Sequence, residues 1–165
     1  AIAPNKLLKE ERVMKGGEPV PGDNIIDSRD LISMYEDLNE EHEDLLANVE
    51  RLEEEANDLY HKELLEAARE ELKEWEEEHL EELETLQAVI EEGESISSEW
   101  RHGTTLIHEH YFVDYAMDLG RDIGVISDFN SWPARHIDWE AAAEELKMDY
   151  DLIRYGEHRY YIFNA

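Results

Sequence analysis

From Ile25 onward the chain falls into a seven-residue rhythm. Leu31, Leu38, Leu45, Leu52 and Leu59 recur at heptad spacing, Tyr35, His42, Val49 and Ala56 take the complementary positions, and acids fill much of the rest. A 3-4 alternation held over four heptads is a coiled-coil pattern, because it keeps one narrow apolar seam turned toward a partner. Asp27 or Ser28 supplies the N-cap. Past Leu59 the register breaks: Glu63 and Glu66 stand where apolar residues are due, and a second series runs through Leu65, Ala68, Leu72, Trp75, His79, Leu83, Leu86 and Ile90. No Gly or Pro interrupts residues 25–92. One helix passing through a stammer near Tyr60–Glu63 satisfies this pattern, and so does a hairpin of two helices. The absence of a helix breaker favours the continuous helix. So narrow a seam must pair with something, which predicts a homodimer joined through Leu31, Leu38, Leu45, Leu52 and Leu59.

Gly93 and the Ser-Ile-Ser-Ser run after it predict the end of the helix. Beyond it the periodicity becomes mixed. TTLI (104–107) reads as a short strand, and Phe112, Tyr115, Ala116, Leu119 and Ile123 share one face of a helix over 111–123. Asp138 caps a second helix, and DLIRYGEHRYYIF alternates about Gly156-Glu157, the signature of a two-residue hairpin. Leu119, Trp139, Ala142, Ala143, Leu146, Ile153, Tyr161 and Phe163 are the expected core. The predicted fold class is α+β: a long acidic coiled-coil helix (or helical hairpin), then a small α+β domain ending in a β-hairpin. The predicted segments are a flexible arm at 1–24, with a short helical turn around Lys6–Met14, the acidic coil at 25–92, a linker at 93–103 and the small domain at 104–165.

Charge sharpens this division. The 165 residues hold 15 Lys+Arg against 44 Asp+Glu, a formal net charge of −29, and residues 36–92 alone hold 24 acids and 4 bases. So acidic a surface repels nucleic acid and anionic membranes and attracts basic partners. Neither direct nucleic-acid binding nor membrane association is expected. With no cysteine, disulfides, thiolate zinc sites and thiol nucleophiles are excluded. No long apolar run and no apolar N-terminal segment are found, so a cytoplasmic location is expected.

The candidate chemistry is sparse. His102, His108 and His110 lie close in sequence, and on a strand His108 and His110 would share a face suited to a metal. Yet HExxH is absent and no motif places a third ligand, so surface histidines are the simpler reading. Carboxylates useful as general acid and base need environments that separate their pKa values, which a solvated coil does not offer. Phosphate-binding loops, dinucleotide-binding glycines, nucleophile elbows and EF-hand loops are missing. No cofactor is expected, and the protein reads as non-enzymatic.

In the C-terminal third, FVDYAMDLGRDIG, SWPARHIDWEAAAEELKMDY and YGEHRYYIF follow one another. In their order and spacing, carried by Ile137-Asp138-Trp139-Glu140-Ala141, Leu146 and Tyr160 to Phe163, they resemble the end of the ArdA-type antirestriction proteins of phages and mobile elements. The resemblance spans about 60 residues. It implies an acidic mimic of duplex DNA, acting as a dimer and occupying the basic DNA-binding groove of a Type I restriction enzyme; the wider expectation is the basic groove of a restriction or CRISPR-type effector in the bacterial host cytoplasm. The coiled coil in the N-terminal half departs from that family's succession of small acidic domains.

Charge spacing can be set against that implication. B-DNA carries one negative charge per about 1.7 Å of axis. Two paired helices of this composition carry an acid about every 1.8 Å, with few bases to offset them. Ordinary coiled coils place Lys or Arg opposite Glu, whereas Glu70–Glu74, Glu74–Glu78 and Glu78–Glu82 set like charges one turn apart. The expected phosphate surrogates are Glu70, Glu71, Glu74, Glu76, Glu77, Glu78, Glu81 and Glu82. Asp114, Asp118, Asp122, Glu144 and Glu145 would extend the surface. The competing expectation is a coiled-coil scaffold or assembly protein without mimicry.

Overall fold

The structure is a computed structural model and describes residues 17–164. The helical turn expected around Lys6–Met14, and most of the arm, lie outside the described residues. Two compact units are formed, one by Leu31–Ala88 and the other by the described residues on either side of that stretch.

The first unit is a helical hairpin, not a continuous helix. Helix α1 (Ser28–Glu55) and helix α2 (Leu59–Ile96) are separated by residues 56–58. Side-chain pairing fixes them as antiparallel: His42 meets Glu76 and Arg69 meets Glu53. The chain breaks here without Gly or Pro because Asp58 caps the new helix. Its carboxylate accepts from the His61 backbone N–H at 2.9 Å and contacts the His61 ring at 2.8 Å. Those bonds, the backbone one foremost, hold the Asp58 carboxyl below the usual carboxylate range. Leu52, Leu65 and Ala68 then form a cluster against which Val49 and Ala56 pack.

Folding back changes the meaning of the heptad leucines. Leu31, Leu38 and Leu52 are buried within a single chain and Leu45 is half-buried. Leu59 lies beyond the turn and is 74% exposed. The stripe expected to join two copies finds its partner in the chain's own second helix, and so cannot serve as that dimer seam.

In the second unit, a four-stranded antiparallel sheet has the order β1-β2-β4-β3. The strands are β1 (Ile25–Asp27), β2 (Thr105–His108), β3 (Tyr150–Tyr155) and β4 (His158–Phe163). Strand β1 falls where the coil was expected to begin. It pairs with β2, placing Ile26 opposite Leu106, both buried. The β3–β4 turn has Gly156 at φ +60, which a residue with a Cβ adopts only with strain. Residues of the expected arm are tied to this hairpin, since Tyr160 Oη accepts from the Gly22 N–H and donates to the Asp23 carbonyl.

Helices α4 (Phe112–Asp122) and α5 (Trp139–Leu146) pack on the sheet, and Asp138 accepts from the Ala141 N–H as the α5 cap. Ile107, Phe112, Ala116 and Ala143 form the core cluster, flanked by half-buried Leu146, Tyr150 and Tyr161. Of the expected core, Ala143 and Ile153 are buried, whereas Phe163 is about half exposed. Among the described residues no helix is long and apolar enough to cross a membrane.

Gly93 does not end α2, which continues to Ile96. Its role is close approach. The four-residue helix α3 (Trp100–Gly103) starts with a fully buried Trp100, and a Cβ on Gly93 would lie 2.3 Å from that ring. Gly93→Ala should therefore destabilise the protein by about 1–3 kcal/mol through overpacking, despite the better helix propensity of Ala. Urea denaturation checks this, and an unchanged or raised midpoint would remove the close-approach account.

Candidate functional site

The acidic hairpin is the strongest candidate site. Between Leu31 and Ala88 it holds 22 acids and only 4 bases. Glutamates lie outside because every third or fourth position is taken by the seam residues Leu65, Ala68, Trp75, Leu83 and Leu86, all buried. Glu70, Glu71, Glu74, Glu77, Glu78, Glu81 and Glu82 are exposed, as the phosphate-surrogate reading requires. Glu76 differs: it is half-buried, with its carboxylate 2.9 Å from His42 Nε2.

A polar layer crosses the hairpin at this level. The His42 ring stacks on Trp75 at 4.9 Å between centroids, and His79 lies 5.1 Å from Trp75 on its own helix. The buried indole N–H donates to Glu41 at 3.1 Å. Two of the four bases link carboxylates. Arg69 bonds Glu53 on α1 at 2.7 Å and Glu66 at 3.2 Å, and Lys73 stands within 4 Å of Glu70 and Glu77. The hydrogen bond it donates to Glu53 holds the Arg69 guanidinium above even its usual high pKa. The exposed surface therefore stays strongly negative.

Helix geometry gives the charge density. Residues 59–88 rise about 45 Å at 1.5 Å each, so the 22 carboxylates of both legs fall about every 2 Å along the hairpin. The net charge of −18 falls about every 2.5 Å, against about 1.7 Å in B-DNA. Two packed helices are also about 20 Å across. Within the hairpin, the expected surrogates all lie on α2. The fold adds Glu36, Asp37, Glu40, Glu43 and Asp44 of α1 to the same unit, and their density was equally visible in the sequence.

The other predicted acids belong to the second unit. Asp114, Asp122 and Glu145 are exposed. Asp118 accepts from the Tyr111 hydroxyl at 3.0 Å and lies 3.4 Å from Arg121, while Glu144 pairs with Lys147 at 2.6 Å. Asp118 and Glu144 thus serve local structure.

The histidines do not assemble as a metal site. Strand β2 ends at His108 and residues Glu109–Tyr111 form a 3-10 turn, so the strand alternation that would align His108 with His110 does not apply. His102 is exposed on α3. Among the described residues no three His, Cys, Asp or Glu side chains gather as a possible metal set. His108 is buried instead. Its Nδ1 accepts from the His110 backbone N–H at 3.2 Å, so its ring proton sits on Nε2 and points to His158 Nδ1 at 3.0 Å. Burial foremost, then the neighbouring His158 and His110, push its pKa below the ordinary imidazole value.

No protein family model matches the chain, and neither a curated protein nor a solved structure matches it.

Two expectations follow from these electrostatics. Replacing Glu74 and Glu78 by Gln removes repulsion between residues one turn apart and should raise stability by a few tenths of a kcal/mol per pair at low salt. The gain should vanish near 1 M salt, and thermal melts at the two ionic strengths check it. Lowered in the folded state, the His108 pKa contributes stability that is present above about pH 6.5 and lost as pH falls below that value. His108→Gln should therefore lose less stability than the parent between about pH 7 and pH 5.5, as read from denaturation midpoints.

Proposed function

We propose that this is a non-enzymatic inhibitor that uses its helical hairpin as an acidic mimic of duplex DNA. The target class is a bacterial DNA-binding defence enzyme, of the Type I restriction or CRISPR-effector kind, whose basic groove ordinarily holds phosphates. The observation that supports this most is the linear charge of Leu31–Ala88. It approaches that of a duplex within one chain, because the second helix is supplied by the fold. Exposed glutamates of α2 and the carboxylates of α1 would stand where phosphate oxygens sit, facing Arg and Lys of the groove. The resemblance of residues 106–163 to ArdA-type proteins points to the same target class.

Such recognition is carried by many exposed charges, so its affinity should fall steeply with ionic strength. The test is displacement of a fluorescent duplex from a Type I restriction enzyme or a CRISPR effector. At about 0.05 M salt the protein should compete, and at about 0.5 M it should not. Glu70→Gln, Glu74→Gln, Glu77→Gln and Glu81→Gln together should weaken competition at least about tenfold and flatten the salt dependence. Failure to displace the duplex from any such enzyme at low salt would end the mimic reading. Capture of a partner that survives high salt would favour the scaffold reading.

A further inference from the structure

Before β1 enters the sheet, residues 19–24 run as a strap along the β3–β4 hairpin. The Gly22 N–H donates to Tyr160 Oη at 2.9 Å, and that hydroxyl donates to the Asp23 carbonyl at 3.0 Å. Tyr155 Oη donates to the Pro19 carbonyl at 3.4 Å, and the His108 N–H donates to the Asn24 carbonyl at 2.9 Å. Apolar burial adds little, since Val20 is 54% exposed and Pro21 and Gly22 are exposed as well. A segment held by a few bonds with so little burial can open locally while the rest of the fold stays closed.

Against the strap lies the His108–His158 pair. His108 Nδ1 is committed to the His110 N–H, so in the 3.0 Å contact between the rings His108 Nε2 donates and His158 Nδ1 accepts. Only neutral rings satisfy this arrangement. A proton added to His158 Nδ1 sets donor against donor, and one added to His108 Nδ1 expels the His110 N–H. Gly22 sits against the Cε1–Nε2 edge of the same His158 ring: a Cβ there would lie 3.3 Å from Cε1 and 3.4 Å from Nε2. A shift of that ring is therefore felt at the residue through which Tyr160 holds the strap.

The groups facing the pair offer little to hold an added proton. His110 is a third imidazole, 5.2 Å from His108 between ring centroids, and Tyr160 meets His108 edge-on at 5.1 Å. The Glu109 carboxylate is bound by Arg159 at 2.6 Å. Asp23 is turned to the Val20 N–H of its own segment at 2.9 Å. Glu18 precedes the strap, and Glu157 stands in the β3–β4 turn.

We propose that this strap is a latch that is closed while His108 and His158 are neutral and opens when the pair takes up a proton. Closure needs the neutral rings, and the His108 pKa lies below the ordinary imidazole value. The closed strap is therefore favoured at and above about pH 6.5 and weakens as pH falls below it. Opening releases the Tyr160 hydroxyl from both of its bonds.

Amide hydrogen exchange of the full chain, followed by NMR and referred to the unstructured-chain rate at each pH, reads the latch at Gly22. Between about pH 7.5 and about pH 5.5, protection at Gly22 should fall at least about tenfold, while buried Ile153 in β3 stays protected. In His158→Gln the side-chain carbonyl accepts from His108 and gains no proton, so the strap should stay protected across that range. His108→Gln should do the same, because its amide can turn to meet either form of His158. Tyr160→Phe should release Gly22 at every pH. Protection at Ile153 reports the fold in each variant. Gly22 protection that stays constant over this range would overturn the proposal, as would a loss that both Gln variants leave intact. So would a loss confined to the range of ordinary carboxylates, below about pH 4.5, which would belong to the acids around the strap.

Discussion

Ser28 makes three hydrogen bonds where no solvent reaches it, and they tie the first residue of α1 to α3 and to the entry of β2. Its N–H donates to the Thr104 carbonyl at 2.9 Å, its hydroxyl donates to the Trp100 carbonyl at 2.6 Å, and its Oγ accepts from the Thr104 N–H at 2.7 Å. Ser97 closes the knot, with its hydroxyl 3.2 Å from that of Thr104 and its N–H bonded to the Gly93 carbonyl. The start of α1, the end of α2 and the entry to β2 thus share one buried polar node. The Ser28 and Thr104 N–H groups and the Ser28 hydroxyl each have a partner there, and loss of one partner would leave the other unsatisfied at a cost of about 1–3 kcal/mol.

The seam has to outweigh that repulsion, and the magnitudes show that it does. An exposed like-charge pair one turn apart costs a few tenths of a kcal/mol and is screened further by salt. Burying a Leu contributes about 1.5–3 kcal/mol. Leu38, Leu52, Leu65, Leu83 and Leu86 are all buried, and so is Trp75. A few such side chains offset many repelling pairs. Arg69 adds the one arginine tie between the helices, while the Trp75–Glu41 and His42–Glu76 bonds satisfy polar atoms that the aromatic layer would otherwise strand.

Much of the second unit was legible in the sequence because its signals are local. The Asp138 cap and the Gly156-Glu157 turn lie where expected, and so do Phe112, Tyr115, Ala116 and Leu119 on the apolar face of α4. Ile123, expected on that face, lies past the helix end and is exposed. The hairpin was not legible in the same way. The eye looks for Gly or Pro to end a helix, whereas this turn is made by Asn57 and the capping Asp58, with His61 as its N-H donor. The failing register at Leu59 was its trace. Gly93 misled in the opposite sense, since it was read as a stop when its missing Cβ makes room for Trp100. Strand β1 is three residues long and is defined only by its pairing with β2, which no local pattern records. The candidate carboxylates were visible throughout, because charge density is a property of composition. Which of them are withdrawn into pairs, as Glu76, Asp118 and Glu144 are, depends on neighbours that only the fold supplies.

The hairpin also bears on why so much acid is present. In coiled coils made of separate chains, flanking charges choose the partner and its register. Here the partner helix is attached through residues 56–58 and capped by Asp58, so no charge code is required to find it. Helix propensity does not demand glutamate either, since Lys, Gln and Arg are about as good. A surface with mixed signs would have folded with less repulsion and remained soluble. Neither pairing nor helix formation therefore explains why acids outnumber bases 22 to 4 between Leu31 and Ala88. Under the function proposed above, a groove built to hold phosphates would supply the reason that neither of them does.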